Sequence, residues 1–480
     1  MELLHQRGMT ITKCTYDLEQ FRQSLYQNFN NRADTLMELV DAMCSTPDVR
    51  SVVAYSLAPC FRRSYSTIFK AINEMEWEDL TIAHLLAPYL PRPRQRSYWL
   101  LGTDVTPQPR QFARTLPDRG MIYQPNTIKG NKPITIGHQY SSIALLPERE
   151  AGISPSWVIP LTTSRVSTSE DKELVGSEQI GRLLQDPKLP FGKDLCVDVG
   201  DSSYSKPACL HANRHHLNLV TIARSRGTRV FYQQATSEKL GETTQPVGHP
   251  TWYGPRFALK EPETWHEPDD QITVRERSRR GKTYHIEVKA WHNMLMPGKH
   301  KPKRLPMHRY PFTLVQIIRY DDKGQLACKH PLWLFIIGER RHELSLRDIY
   351  EAYKQRFDLE HFFRFGKQKL VLDSFQTPDD VREENWWQLV HVAYAQLWVA
   401  RHVVCSLPYP WERNLSEMKR GLISPTLVQR DFGRIIRQIG TPAKPPKLRG
   451  ISPGRRKGTK LPPRPRQKVV IKGKKKAKPP

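Results

Sequence analysis

Two short apolar runs do most to limit what this chain can become. Tyr98-Trp-Leu-Leu-Gly-Thr103 stops at Asp104, and Leu195-Cys-Val-Asp-Val-Gly200 stops at Asp201. Runs of this length, rich in aromatic and β-branched residues, read as buried strands. Both carboxylates then stand at or just beyond a strand end, where an α/β sheet usually builds its site. Between the two runs, Ile134–Gly137 and Trp157–Thr162 read as strands and Gly176–Leu184 as a helix. Asp198 alternates within its strand and competes with Asp201 for the same face. Asp201 is preferred, because it lies at the strand end and has Tyr204 three residues on. Asp194 reads as a solvated strand-entry residue.

A third carboxylate comes from a helix. Ser345-Leu-Arg-Asp348 reads as a capping-box variant that starts it. Tyr353, Arg356, Glu360 and Lys367 follow at offsets 0, 3, 7 and 14. At about 100° per residue, one helix would align all four in a stripe. A carboxylate between Arg and Lys on one face suits a divalent metal with two cations gripping phosphate. The bland reading is an exposed helix with an Arg356–Glu360 pair worth a few tenths of a kcal/mol, which leaves Tyr353 and Lys367 unexplained. Asp104, Asp201 and Glu360 together would serve a pair of Mg²⁺ ions roughly 4 Å apart, the arrangement for phosphoryl transfer. Phe357, Phe362 and Phe363 are expected to anchor the helix to the sheet, with Glu351 and Asp358 solvated. Trp386–Val404 reads as an apolar helix without chemistry.

These residues resemble the DDE transposases of bacterial insertion sequences, in the group defined by a Tyr-Arg-Glu-Lys motif. The matches are Asp104, Asp201-Ser-Ser-Tyr204, and Tyr353/Arg356/Glu360/Lys367. The resemblance implies an α/β fold: an RNase H-like mixed sheet carrying a β-rich insertion, for which the 158 residues between Asp201 and Glu360 leave room. It implies Asp104, Asp201 and Glu360 as catalytic residues and metal ligands for two Mg²⁺ ions, with Mn²⁺ able to substitute. Tyr353, Arg356, Lys367 and Tyr204 would bind DNA phosphate. The expected partner is double-stranded DNA, both transposon inverted-repeat ends and target, held by a homodimer in the synaptic complex. The expected location is the bacterial cytoplasm, at the nucleoid. Two rivals stand beside this reading: a nuclease of the same fold without strand transfer, and a domesticated, non-catalytic DNA-binding protein.

Charge agrees with a polyanionic partner. The net charge is +27, and from Gly440 onward there are ten Lys, five Arg and no acid. That stretch also holds nine prolines, so it reads as a disordered, sequence-independent DNA arm. The expected domains are 1–95, helical, for DNA binding or dimerisation; 96–204, the first part of the core; 205–340, the β-rich insertion; 341–435, the core completed by the motif helix and C-terminal helices; and 436–480, the basic tail. In the first, helices over Ala33–Cys44, from Pro47, and over Ser64–Met75 would place Arg62, Arg63 and Lys70 for end recognition. In the insertion, Leu217–Ala223, Arg229–Tyr232, Thr283–Trp291, Thr313–Tyr320 and Leu332–Ile337 read as strands. Arg224 and Arg226 are candidate phosphate contacts there, and Trp291 or Trp252 a candidate stacking platform for an extruded base. Seven scattered cysteines without a C-x-x-C pair indicate neither zinc nor a disulfide framework. No signal peptide and no membrane span are expected.

Overall fold

The computed structural model describes residues 2–124, 133–235, 252–278, 281–297, 305–405, 422–448, 454, 456–460 and 462–471. They fall into two compact units. The first comprises Met1–Pro91, Val105–Lys172 and Asp358–Pro480, the second Arg92–Asp104 and Glu173–Phe357. Among the described residues no helix is long and apolar enough to cross a membrane.

The second unit is built on a mixed sheet. Strand β1 (Tyr98–Pro109) enters it with residues up to Asp104, and pairs in parallel with β5 (Leu195–Gly200), Leu101 lying opposite Asp198. Next comes β6 (Leu219–Ser225), also parallel, with Val199 opposite Ile222. The insertion does not stand apart. Its strands β12 (Leu332–Ile337), β11 (Phe312–Asp321), β10 (Thr283–Met294) and β9 (Asp270–Arg277) continue from β6 as an antiparallel ladder. Only β7 (Val230–Gln234) and β8 (Tyr253–Ala258) make a separate two-stranded sheet. Every residue of β5 is buried, as its largely apolar run foretells, Asp198 included. Helices α5 (Lys172–Gln185), α6 (Pro207–Asn213) and α7 (Leu346–Gln355) complete the unit.

The first unit is mostly helical: α1 (Glu2–Asn28), α2 (Ala33–Ser45), α3 (Tyr65–Glu74), α4 (Thr81–Leu86), α8 (Asp358–Lys369), α9 (Asp380–Cys405) and α10 (Pro425–Ile439). It also holds the antiparallel strands β2 (Gly120–Tyr123), β3 (Ile134–Leu145) and β4 (Ile159–Val166). Helix α9 is apolar nearly all round, which suits a helix enclosed by others; it packs on α1, α2, α10 and β4. Its buried acid Glu383 is compensated. Glu383 lies 2.8 Å from Arg110 Nε and 2.7 Å from His138 Nδ1, and accepts from Tyr140 at 3.0 Å.

The tail departs from expectation where it is described. Arg22 and Arg62 donate to the carbonyls of Gly440 and Ala443 at 3.1 and 2.9 Å, and Arg63 to that of Lys444 at 2.8 Å. Further on, Gln467 and Val470 donate their backbone N–H groups to Arg114 O and Arg119 O, both at 2.8 Å. A segment that cannot bury a core of its own is here held by main-chain partners. Residues 449–453, 455, 461 and 472–480 of the tail lie outside the described residues.

Candidate active site

Residues of the second unit come first. Thr103 and Asp198 face each other across the β1–β5 pair, and the Thr103 hydroxyl donates to Asp198 Oδ1 at 2.6 Å. Both are fully buried, and Asp198 Oδ2 has no hydrogen-bond partner among the described residues. Burial pushes the Asp198 carboxyl up to about 7, against the pull of the Thr103 hydrogen bond. One residue past Thr103 stands half-exposed Asp104. It is not at a strand end, since β1 runs on to Pro109; it lies where the pairing with β5 has just stopped.

Asp201 is the first residue after β5, as expected. Its Oδ1 accepts from Ser203 N at 2.7 Å and Ser203 Oγ at 2.6 Å, while Tyr204 N donates back to Asp201 O at 3.2 Å. This is an Asx-type turn that fixes the carboxylate on the rim of the sheet. The turn sends Tyr204 inward, where it is 2% exposed. A Cβ on Gly200 would meet the Tyr204 Cβ at 2.8 Å and its ring at 2.9 Å, and one on Gly176 would meet the ring at 3.0 Å, so two glycines make its slot. Burial raises the Tyr204 hydroxyl well above its usual range, and the charges of Asp104, Asp198 and Asp201 raise it further. Three carboxylates thus surround one phenol. Sequence reasoning placed Tyr204 on phosphate; it is instead a buried post beneath the acids, its hydroxyl without a hydrogen-bond partner among the described residues.

Tyr353 and Arg356 reach the same place from α7. The capping box at its start is present: Asp348 N donates to Ser345 Oγ and Ser345 N to Asp348 Oδ2, each at 3.1 Å. The Tyr353 hydroxyl is raised chiefly by burial and by Asp201, and lowered by Arg356, to which it is hydrogen-bonded, and by Arg224. Asp104, Asp201, Tyr353, Arg356 and exposed Arg224 of β6 therefore gather in one unit. Arg226 is also exposed on that side of the sequence, just past β6.

The motif helix is not continuous. Helix α7 ends at Gln355, Arg356 and Phe357 form a turn, and α8 begins at Asp358 in the first unit. A single stripe requires uninterrupted rotation at 3.6 residues per turn, whereas the motif residues are divided between two helices. Within α8 the relation survives: Glu360, exposed in the first turn, and Lys367, half-exposed in the last, share a face. Glu360 also suits the positive end of that helix. Phe362 packs on α9, its ring 5.1 Å from His391 and 4.7 Å from Tyr394, so the anchor is a helix and not the sheet. Phe357, expected as an anchor, is 50% exposed. Asp358, expected to be solvated, is buried and lies 2.8 Å from Arg149.

Several outlying candidates are corrected. Trp291 is 2% exposed, donates its indole N–H to His266 O at 2.8 Å, and packs among Phe257, Trp265 and Trp333, with no face left for a base. Trp252 stacks on His308, centroids 3.6 Å apart. Arg62 and Arg63 lie 2.7 and 2.8 Å from buried Glu38, besides holding the tail carbonyls. Lys70 is exposed on α3. Asp194 accepts from Trp99 Nε1 at 3.0 Å, a tie its strand-entry position concealed.

Asp104 and Asp201 offer hard oxygen donors of the kind Mg²⁺ prefers, and that ion commonly takes one or two carboxylates and leaves the rest to water and substrate. Their shared influence on one phenol fits such an ion. Among the described residues, no group of three or more His, Cys, Asp or Glu is close enough to hold a metal by itself.

A family model described as a DDE superfamily endonuclease matches residues 24–297, more than half of the chain and including Asp104 and Asp201. No curated protein matches the chain. The mixed sheet, with ten α-helices among the described residues, is consistent with an RNase H-like fold.

Proposed function

Because this chain belongs to the DDE superfamily of endonucleases, we propose that it is the transposase of a bacterial insertion sequence, cutting DNA at the element's ends and joining it elsewhere. The observation that carries the proposal is the gathering of Asp104, Asp201, Tyr353 and Arg356 about buried Tyr204 and Asp198. Asp104 and Asp201 would hold divalent ions, with Glu360 proposed from its place in the motif as the third carboxylate. Bound in this way, Mg²⁺ would supply activation of the attacking oxygen and neutralisation of the leaving one. Arg356, steadied by its hydrogen bond with Tyr353, binds a phosphate oxygen beside the scissile bond and offsets charge developing there. Lys367 is proposed to grip a neighbouring phosphate. The first displacement breaks a P–O bond at the element's end with water and frees a 3′-OH. The second uses that hydroxyl on another phosphodiester, again in line. A homodimer bridging two ends at the nucleoid completes the proposal.

The test is cleavage of linear DNA carrying the inverted repeats that flank the gene, with Mg²⁺. Wild type should nick at the element's end and form joined products with a target duplex. Asp201→Ala and Glu360→Ala should each lose on the order of 10³-fold or more in rate while still binding DNA. Nicking without joined products would favour the plain nuclease. Binding without any cutting by wild type would favour the non-catalytic DNA-binding protein.

A further inference from the structure

The described tail carries a feature that the catalytic reading does not use. Arg464, Arg466 and Lys468 are all exposed, on a backbone that is itself engaged. Val470 bridges Gly120 in parallel, at the start of the edge strand β2, and donates to Arg119 O. Gln467 donates to Arg114 O and accepts from the buried Arg119 guanidinium at 3.3 Å. Arg119 is fixed in turn by the carbonyls of Leu116, Arg110 and Gln111 at 3.1–3.3 Å. Arg464 adds a bond to Pro378 O at 3.3 Å. The three prolines at 462, 463 and 465 set φ and hold Arg464, which precedes one of them, in extended backbone. Alternate residues then stand about 6–7 Å apart, close to the step between successive phosphates of one nucleic-acid strand.

We propose that residues 464–468 form a fixed phosphate-tracking strip, a DNA-backbone contact docked on the first unit and not a loose polycation. The inference rests on the DNA-cutting reading above. Exposed Arg114 beside the strip adds a fourth cation. The neighbouring acids are already engaged: Asp118 and Asp380 lie 2.7 and 3.3 Å from Arg165. Main-chain pairing at Gln467 and Val470 orders the backbone that carries these exposed cations, so the ordering cost is met before DNA arrives.

Two full-length variants test this by DNA binding across a salt series. Arg464→Gln/Arg466→Gln/Lys468→Gln removes charge only. It should lower the slope of log K against log salt by about 3, one phosphate contact each. Gln467→Pro/Val470→Pro keeps every charge but removes both N–H donors that dock the strip. It should bind about tenfold more weakly, with thermal unfolding used to verify that the units remain folded. An undocked variant that is folded and binds like wild type would overturn the fixed strip, as would an unchanged slope in the charge variant. Bound DNA should also slow tryptic cutting after Arg466 and Lys468; equal cutting with and without DNA would count against the strip. Wild type that cuts at the element's ends while the charge variant keeps its slope sinks the strip alone. Wild type that binds no DNA sinks the catalytic reading as well.

Discussion

Buried charge is handled differently in the two units. In the first, Glu383 meets Arg110 and His138, Asp41 accepts from Arg22 Nη2 at 2.9 Å, and Glu38 meets Arg62 and Arg63. These pairs tie α1 to α2, α2 to the segment before α3, and α9 to β3 and the residue after β1. In the second, Asp198 is as deeply buried, yet its one hydrogen bond comes from a neutral hydroxyl. A buried charge without a cation is costly, and a group so placed holds its proton instead. Structural acids are compensated where they stand. An uncompensated acid beside two rim carboxylates is the pattern that the proposed site would need for a partner arriving from outside.

The largest way to break this contrast is to make the first unit resemble the second. Glu383→Ala leaves Arg110 and His138 enclosed without their anion, and should cost about 3–5 kcal/mol. Urea unfolding of wild type and variant measures it directly. A loss below about 1 kcal/mol would mean that the pair fills space without holding α9.

The next test reverses the change. The Asp198 carboxyl sits at about 7 in the folded chain, against roughly 4 when unfolded. Folding therefore keeps a proton that the unfolded chain releases. The associated stability is present below about pH 4 and lost as pH rises to about 7, with a ceiling near 4 kcal/mol. Asp198→Asn is neutral at every pH and still offers an oxygen to Thr103. It should match wild type near pH 4 and exceed its stability increasingly up to pH 7–8. A difference that stays flat with pH would show Asp198 ionised, and would sharpen the contrast by requiring a cation beside it.

The sequence was most legible where one physical demand ruled. Buried β5 and nearly buried β12 announced themselves by short, largely apolar runs, and the Ser345–Asp348 box by its hydrogen-bonding residues. Strand β9, polar along its exposed edge, and β8, with Gly254 and Pro255 inside, look like loops because their pairing is made by backbone, which composition does not report. The same blindness hid the docked tail. The position of Asp201 just past β5 was legible from where the run stops. The break at Arg356–Phe357 could not be foreseen, because neither residue is a helix breaker and only tertiary packing sets it. Trp291 misled for a related reason: an aromatic in a strand serves a core or a ligand equally well until its neighbours are known.

The smallest predicted effect examines how Asp201 is aimed. Two donors from Ser203 converge on its Oδ1, a backbone N–H and a hydroxyl. Ser203→Ala keeps the first and deletes the second, in a half-exposed turn, so stability should fall by only about 1 kcal/mol. The cleavage rate should fall further than that suggests, by roughly tenfold, since an acid on a rim is productive only within a narrow range of orientation. Ser203→Thr keeps the hydroxyl and should restore the rate. An unchanged rate in Ser203→Ala would show that the backbone N–H alone fixes Asp201. A loss as large as that of Asp201→Ala would mean that the Ser203 hydroxyl itself touches the DNA, adding a neutral donor to the groups proposed to meet an incoming phosphate.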